Sequence, residues 1–257
     1  MMRSLVVSVL MAWLVTLTTS SLAQVNTEAV RSDAHREGLS GRVEARFTGS
    51  TGNSEGVVAG GSARLQVLRK ANLAFVHAAG SYSRLNQTTS VERGMVHARH
   101  NYEMARWLWS ELFAQLEHDA FRRLTHRELL GVGMRFLVIE TKDVDLFYGT
   151  SYFAEWEKLG RVHVDPEQQA TFAHRWNNYI ALSASLSNRL EVGAMVYFQP
   201  RFDVLSDWRL LQESFLEVGI TDVVSTKVSV TMRHDSDPPA GVKTTDFALT
   251  NAFVAKF

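Results

Sequence analysis

Most of this chain alternates apolar and polar side chains one for one, and that pattern restricts the fold more than any other feature. Between Ser225 and Arg233, Val228, Val230 and Met232 fall on one face, and Lys227, Ser229, Thr231 and Arg233 on the other. A period of two belongs to a pleated strand, whose successive side chains point to opposite sides. The pattern recurs along the chain. Val43, Ala45 and Phe47 alternate with Arg42, Glu44 and Arg46, and Leu112, Ala114 and Leu116 alternate with Glu111, Gln115 and Glu117. Val96, Ala98, Tyr102 and Met104 oppose His97, Arg99, Asn101 and Glu103, with His100 a misfit, and Leu216 and Val218 oppose Glu213 and Glu217. Each strand therefore has one apolar and one charged face.

About twelve such segments can be traced by this period. They span residues 39–50, 56–69, 72–84, 93–106, 108–119, 127–140, 144–157, 172–187, 190–203, 209–222, 225–235 and 244–257. Lys70-Ala71, Arg106-Trp107, Thr141 to Asp143, Ser187 to Arg189 and Asp222 to Val224 are short connections. Longer polar ones fall between them, at Ser50 to Glu55, Arg84 to Glu92, Ala120 to His126, Glu157 to Thr171, Val204 to Trp208 and Asp235 to Gly241. Strict alternation of short and long is the wiring of an up-and-down outer-membrane barrel, with tight periplasmic turns and longer outer loops. The expected fold is therefore all-β, an antiparallel up-and-down transmembrane β-barrel of about twelve strands. A soluble periplasmic sandwich or lipocalin-like barrel would show the same alternation with the apolar face inward.

The N-terminus fits export. Arg3, the apolar run from Leu5 to Thr18 and the small residues Ser21 and Ala23 predict a cleaved secretory signal peptide over 1–23. A periplasmic segment over 24–38 and the barrel over 39–257 would follow. The longest later stretch without Asp, Glu, Lys or Arg is 13 residues, Trp176 to Asn188, short of the roughly 18 that a spanning helix needs. Formal charge is zero, with 27 basic and 27 acidic residues, so nothing points to nucleic acid. Cysteine is absent, which removes disulfides, thiolate chemistry and cysteine metal sites. All four prolines, Pro166, Pro200, Pro238 and Pro239, fall in connections or near a strand end. Trp107, Trp109, Trp156, Trp176 and Trp208 lie near strand ends, as an interfacial aromatic girdle requires. The chain closes with Phe247, Leu249, Asn251, Phe253, Ala255 and Phe257 at every second position, similar to the C-terminal strand signal that the barrel-assembly machinery recognises.

Three stretches also carry a resemblance: the signal segment, TGNSEG at Thr51 to Gly56, and NYEMARWLWSELFAQLEHDAFRRLTHRELLGVGMRF from Asn101 to Phe136. Together they resemble the salt-induced outer-membrane protein (YdiY-like) family of Gram-negative bacteria, a family of unknown function. The TGN turn, the Glu117-x-Asp119 tip, Arg127 and the Gly131-x-Gly133 strand match its pattern. Leu116-Glu117-His118-Asp119 replaces the tyrosine-containing strand end usual in the family, and Met134 makes the glycine strand less regular. The resemblance implies an outer-membrane β-barrel and no reaction.

Glu117, His118, Asp119 and His126 crowd one hairpin tip, where a hydrolase or a metal site could be imagined. A hydrolase needs a nucleophile, a base and an orienting group, yet the nearest hydroxyl is Thr125 and no serine motif is present. His118, Asp119 and His126 suit zinc or manganese by type, but their spacing is not diagnostic. No catalytic, cofactor or metal residue is assigned. By parity, the candidate lumen and rim residues are Arg99, Glu103, Glu111, Glu117, Asp119, Arg127, Arg135, Glu213, Glu217 and Arg233. The expectation is a non-enzymatic envelope structural or stress barrel with at most a narrow polar pore. The alternative is a barrel holding a ligand, lipid or metal through its outer loops, Glu157 to Thr171 above all. An outer-membrane hydrolase is a distant third. Expected partners are outer-membrane lipid and lipopolysaccharide, with the assembly machinery engaging the strand that ends at Phe257.

Overall fold

A computed structural model of the chain describes residues 37–50, 56–85, 88–120, 122–160, 170–239 and 241–257. It contains twelve strands: Gly38–Ser50 (β1), Gly56–Arg69 (β2), Asn72–Leu85 (β3), Thr88–Ala105 (β4), Leu108–Asp119 (β5), Leu124–Glu140 (β6), Val144–Leu159 (β7), Ala170–Ser187 (β8), Leu190–Pro200 (β9), Trp208–Gly219 (β10), Val224–Asp235 (β11) and Thr245–Lys256 (β12). Each pairs with its neighbours in sequence, and β12 returns to β1 to close the barrel. All the pairings are antiparallel. The expected signal peptide and almost all of the segment 24–38 lie outside the described residues.

The parity of the sequence becomes the wall of the barrel, turned inside out relative to a soluble protein. Leu112, Val132 and Ile180 face outward at 54%, 55% and 54% exposure, while Glu111, Glu117 and Arg175 face inward at 1%, 2% and 2%. An apolar outer wall around a charged interior is stable where hydrocarbon is the outer solvent, so the alternation belongs to a transmembrane barrel and not to a soluble one. Val132 lies midway along β6, opposite Leu112 and Tyr152 on its neighbours. Val132→Arg is therefore expected to cost about 2–4 kcal/mol in a lipid-refolding titration. A change under about 0.5 kcal/mol, the scale of ordinary surface substitutions, would mean that this face does not meet lipid.

The strands run 11 to 18 residues, against the roughly 9–11 needed to cross a bilayer. The surplus corrects several sequence boundaries. The long connection expected at 84–92 shrinks to residues 86–87, because β3 runs to Leu85 and β4 starts at Thr88. Strict alternation of short and long connections fails at that point. Likewise β6 starts at Leu124, β7 continues to Leu159 and β8 starts at Ala170. Beyond the hydrocarbon a strand keeps its ladder but needs no apolar face, so its polar residues look like loop in the sequence. A second correction concerns the aromatic girdle. Trp109 sits opposite Glu103 and Arg135 on the inward face, whereas Trp156 and Trp176 face outward at 43% and 46% exposure.

The closing seam is short. β1 and β12 pair from Arg42–Lys256 to Ala45–Phe253, extended by the reciprocal backbone bonds of Gly41 and Phe257 at 2.8 and 3.0 Å. The Phe257 ring lies across Gly41, where a Cβ would come within 2.4 Å of it. The terminal aromatic thus caps the seam at its turn-side end.

Candidate functional site

The lumen is the candidate site, and inward-facing side chains fill it in layers. Its midsection is aromatic. Inward rings lie over inward glycines on the neighbouring strand at three places: Phe113 over Gly131, Tyr179 over Gly149 and Phe215 over Gly193. A Cβ on these glycines would come within 2.2, 2.1 and 2.2 Å of the rings, so the missing side chain makes room for the neighbour's ring. His97 stacks between Phe75 and Phe113 at 5.9 Å from each, and Tyr179 packs on Tyr197 at 5.2 Å.

Glu111 is the polar centre of this layer. Its carboxylate accepts hydrogen bonds from Arg99 at 3.3 Å, Asn101 at 2.8 Å and the Tyr179 hydroxyl at 2.9 Å. The last crosses from β8 to β5. Such a charge is tolerable in a dry interior only when donors surround it.

The outer half of the lumen holds a buried ion-pair network. Glu155 on β7 meets Arg209 on β10 at 2.7 Å, Arg175 on β8 at 3.2 Å and Arg127 on β6 at 3.5 Å. Glu157 accepts from Arg127 at 2.5 Å and Arg209 at 3.2 Å. Asp235 pairs with Arg209 at 3.1 Å and Arg122 at 3.6 Å, and Asp207 with Arg175 at 3.0 Å. In the loop at 201–207, Arg201 donates to Asp203 at 2.6 Å and Asp207 at 3.2 Å. The Arg201 hydrogen bond holds the Asp203 carboxyl below its ordinary range. Burial, helped by the charges of Arg127 and Arg209, lowers the Arg122 guanidinium. Between this network and the aromatic layer a space of about 40 Å³ remains, lined by His97, Arg99, Phe113, Arg127, Tyr197 and Arg209 among others. That is room for about one water.

A third cluster braces the closing seam against β10 and β11, the strands just beyond β12. Arg42 bridges Glu44 and Glu217, Lys227 reaches Glu44 at 2.7 Å, and Glu217 also takes Ser225 at 2.7 Å and Lys256 at 3.0 Å.

All ten residues singled out by parity are on the inward side. Arg99, Glu111, Glu117, Asp119, Arg127, Arg135, Glu217 and Arg233 are buried. Glu213 is half-buried, and Glu103 is exposed at the mouth of a cavity on the short-turn side. Inside the 117–127 hairpin, acids and arginines pair with one another only in part. Glu117 and Arg127 approach at 3.6 Å, but the closer partners of Arg127 are on β7, and the ion pair of Arg122 is with Asp235 on β11. Asp119 accepts from the Arg122 backbone N–H at 3.2 Å, and His118 Nδ1 lies 2.8 Å from the Thr125 carbonyl. The tip's charges thus belong to a lumen-wide network. Glu155, Glu157, Arg175, Asp207, Arg209 and Asp235 escaped the sequence reading. The outward Trp176, Ile180 and Leu182 would have placed Arg175 inward by the same parity.

Fold and interior together define a transmembrane β-barrel of outer-membrane type. Within that class, the chain belongs to the family described as protein of unknown function DUF481, whose model matches residues 43–257; it is the family resembled by the TGN turn and the 101–136 stretch. No curated protein matches the sequence. Among solved structures, the chain is similar to the NanC porin in a rhombohedral crystal form, at 11% identity and TM-score 0.51, covering 84% of this chain and 98% of that one. A bacterial polysaccharide outer membrane secretin matches at 8% identity and TM-score 0.46, covering 86% and 98%. The translocator domain of the autotransporter NalP from Neisseria meningitidis matches at 11% identity and TM-score 0.46, covering 88% and 90%. At these identities the likeness is one of fold.

Proposed function

We propose that this protein is a structural barrel of the bacterial outer membrane whose lumen is closed to general diffusion, leaving at most a narrow polar path. One observation carries the reading: side chains bond across the lumen between strands that are not neighbours, Tyr179 on β8 to Glu111 on β5 at mid-height, Arg209 on β10 to Glu155 and Glu157 on β7 above, and Arg122 at the β5–β6 turn to Asp235 on β11. Barrels of 16–18 strands leave a channel and those of eight are filled by side chains. Here the twelve-stranded interior is occupied mainly by salt-bridged arginines and aromatic rings. The NanC structure is described as a porin, and at 11% identity that lends this chain the architecture while the lumen argues for closure.

On this reading the apolar wall contacts outer-membrane lipid and lipopolysaccharide, and the strand ending at Phe257 is offered to the assembly machinery. The 117–127 tip serves architecture and not catalysis, because its charged groups are engaged in the ion-pair network. Ligand binding by the loop after β7 concerns residues 161–169, which lie outside the described residues. Liposome swelling tests closure. Liposomes carrying the refolded full chain should swell in arabinose no faster than protein-free ones. Swelling rates that fall with solute size would establish a diffusion pore and end this reading.

A further inference from the structure

Below the filled layers, on the side of the short turns, the lumen opens into a cup of about 510 Å³. Much of its wall is apolar: Leu73, Trp109, Phe147, Ala181, Met195 and Phe215 line it. Trp109 and Phe147 meet edge to face at 5.9 Å. At the floor, the Arg135 guanidinium lies 3.7 Å from the centroid of the Phe147 ring. The volume falls within the roughly 300–1,000 Å³ of small-molecule sites, and the aromatic layer closes the far end, so this is a pocket and not a stretch of channel. An apolar concavity facing water marks a binding surface more often than a structural one.

Charge at the mouth selects the guest. Arg106 and Glu140 pair with each other there at 2.9 Å. Glu103 and Asp145 then stand against Lys70 among the other lining charges, while Arg135 occupies the floor. Asp145 is also among the charges acting on Arg135. A cation is drawn to the mouth and repelled from the floor, whereas an anion meets the carboxylates first. A molecule with an apolar body and one cationic end satisfies both regions at once, and the face of Trp109 suits either part of it.

We propose that this cup binds a small cationic amphiphile, an aryl-alkyl or short alkyl amine, apolar end inward and ammonium at the Glu103 and Asp145 mouth. The proposal goes beyond the closed-barrel reading, and its test does not measure permeation.

Two probes of one shape and opposite charge, 4-phenylbutylammonium and 4-phenylbutyrate, separate charge from hydrophobicity. In calorimetry with the refolded full chain, the ammonium should bind saturably and at least about tenfold more tightly than the carboxylate. Glu103→Gln combined with Asp145→Asn should weaken the ammonium by about fivefold or more. Ala181→Phe, which fills the cup, should abolish binding. Trp109→Phe should remove the accompanying fluorescence change. A heat-dependent gel shift confirms that each variant is folded. Equal affinity for both probes, absence of saturable binding, or indifference to Ala181→Phe in folded protein would overturn the proposal.

Discussion

Replacing Glu155 with glutamine is expected to destabilise the barrel by about 3–5 kcal/mol, the cost of leaving buried charge uncompensated. Three arginines converge on this carboxylate, Arg127, Arg175 and Arg209, all at 9% exposure or less. Glutamine keeps the shape and one acceptor but removes the charge that offsets them. Urea unfolding from lipid vesicles, followed by tryptophan fluorescence, measures the loss. A shift under about 1 kcal/mol, the level of an exposed ion pair, would mean that water screens the network. The contrast is Arg106→Ala, which breaks the turn-side pair with Glu140, where the partners are 84% and 47% exposed. That change should cost no more than about 1 kcal/mol.

The second large effect is expected at Gly149. A valine there drives its side chain into the Tyr179 ring, which already occupies the space of a Cβ. Overpacking costs about 1–3 kcal/mol. Displacing Tyr179 also breaks its hydrogen bond to buried Glu111, which costs about 1.5–3 kcal/mol more. The combined loss is roughly 2.5–6 kcal/mol, read by the same unfolding titration. Tyr179→Phe isolates the hydrogen-bond share. Gly80→Ala is the control, since its Cβ would meet nothing closer than the Arg93 carbonyl oxygen at 3.5 Å. It should leave stability within about 0.5 kcal/mol. Equal losses at Gly149 and Gly80 would show that the ring-over-glycine packing is not what makes Gly149 necessary.

How much of this was legible in the sequence depends on which interaction determines each feature. Strand number and parity were readable because lipid on one side and charge on the other impose a period of two. The runs at Val96 to Met104 and Ser225 to Arg233 show this directly. β7 and β8 were harder. They place Phe153 and Tyr179 inward and Tyr152 and His174 outward, so polarity no longer separates their faces. Strand extensions such as Thr88 to Ser90 read as loop because nothing outside the hydrocarbon demands apolar residues of them. Pairings across the lumen were not legible at all: that Tyr179 meets Glu111, or Arg209 meets Glu155, depends on the curvature that closes twelve strands. Gly131, visible as part of a motif, acquires its reason only when Phe113 is placed across it.

The claim that matters most is that the lumen is closed between its two ends, and the absence of cysteine makes it directly testable. Glu103→Cys places a single thiol at the mouth of the cup, below the aromatic layer and the ion-pair network. In proteoliposomes with all barrels oriented alike, a small membrane-impermeant cationic thiosulfonate is added to one side at a time. The closed lumen predicts rapid modification from the short-turn side and none above background from the long-loop side. Equal modification from both sides would mean that the layers do not seal the barrel, and would contradict the account.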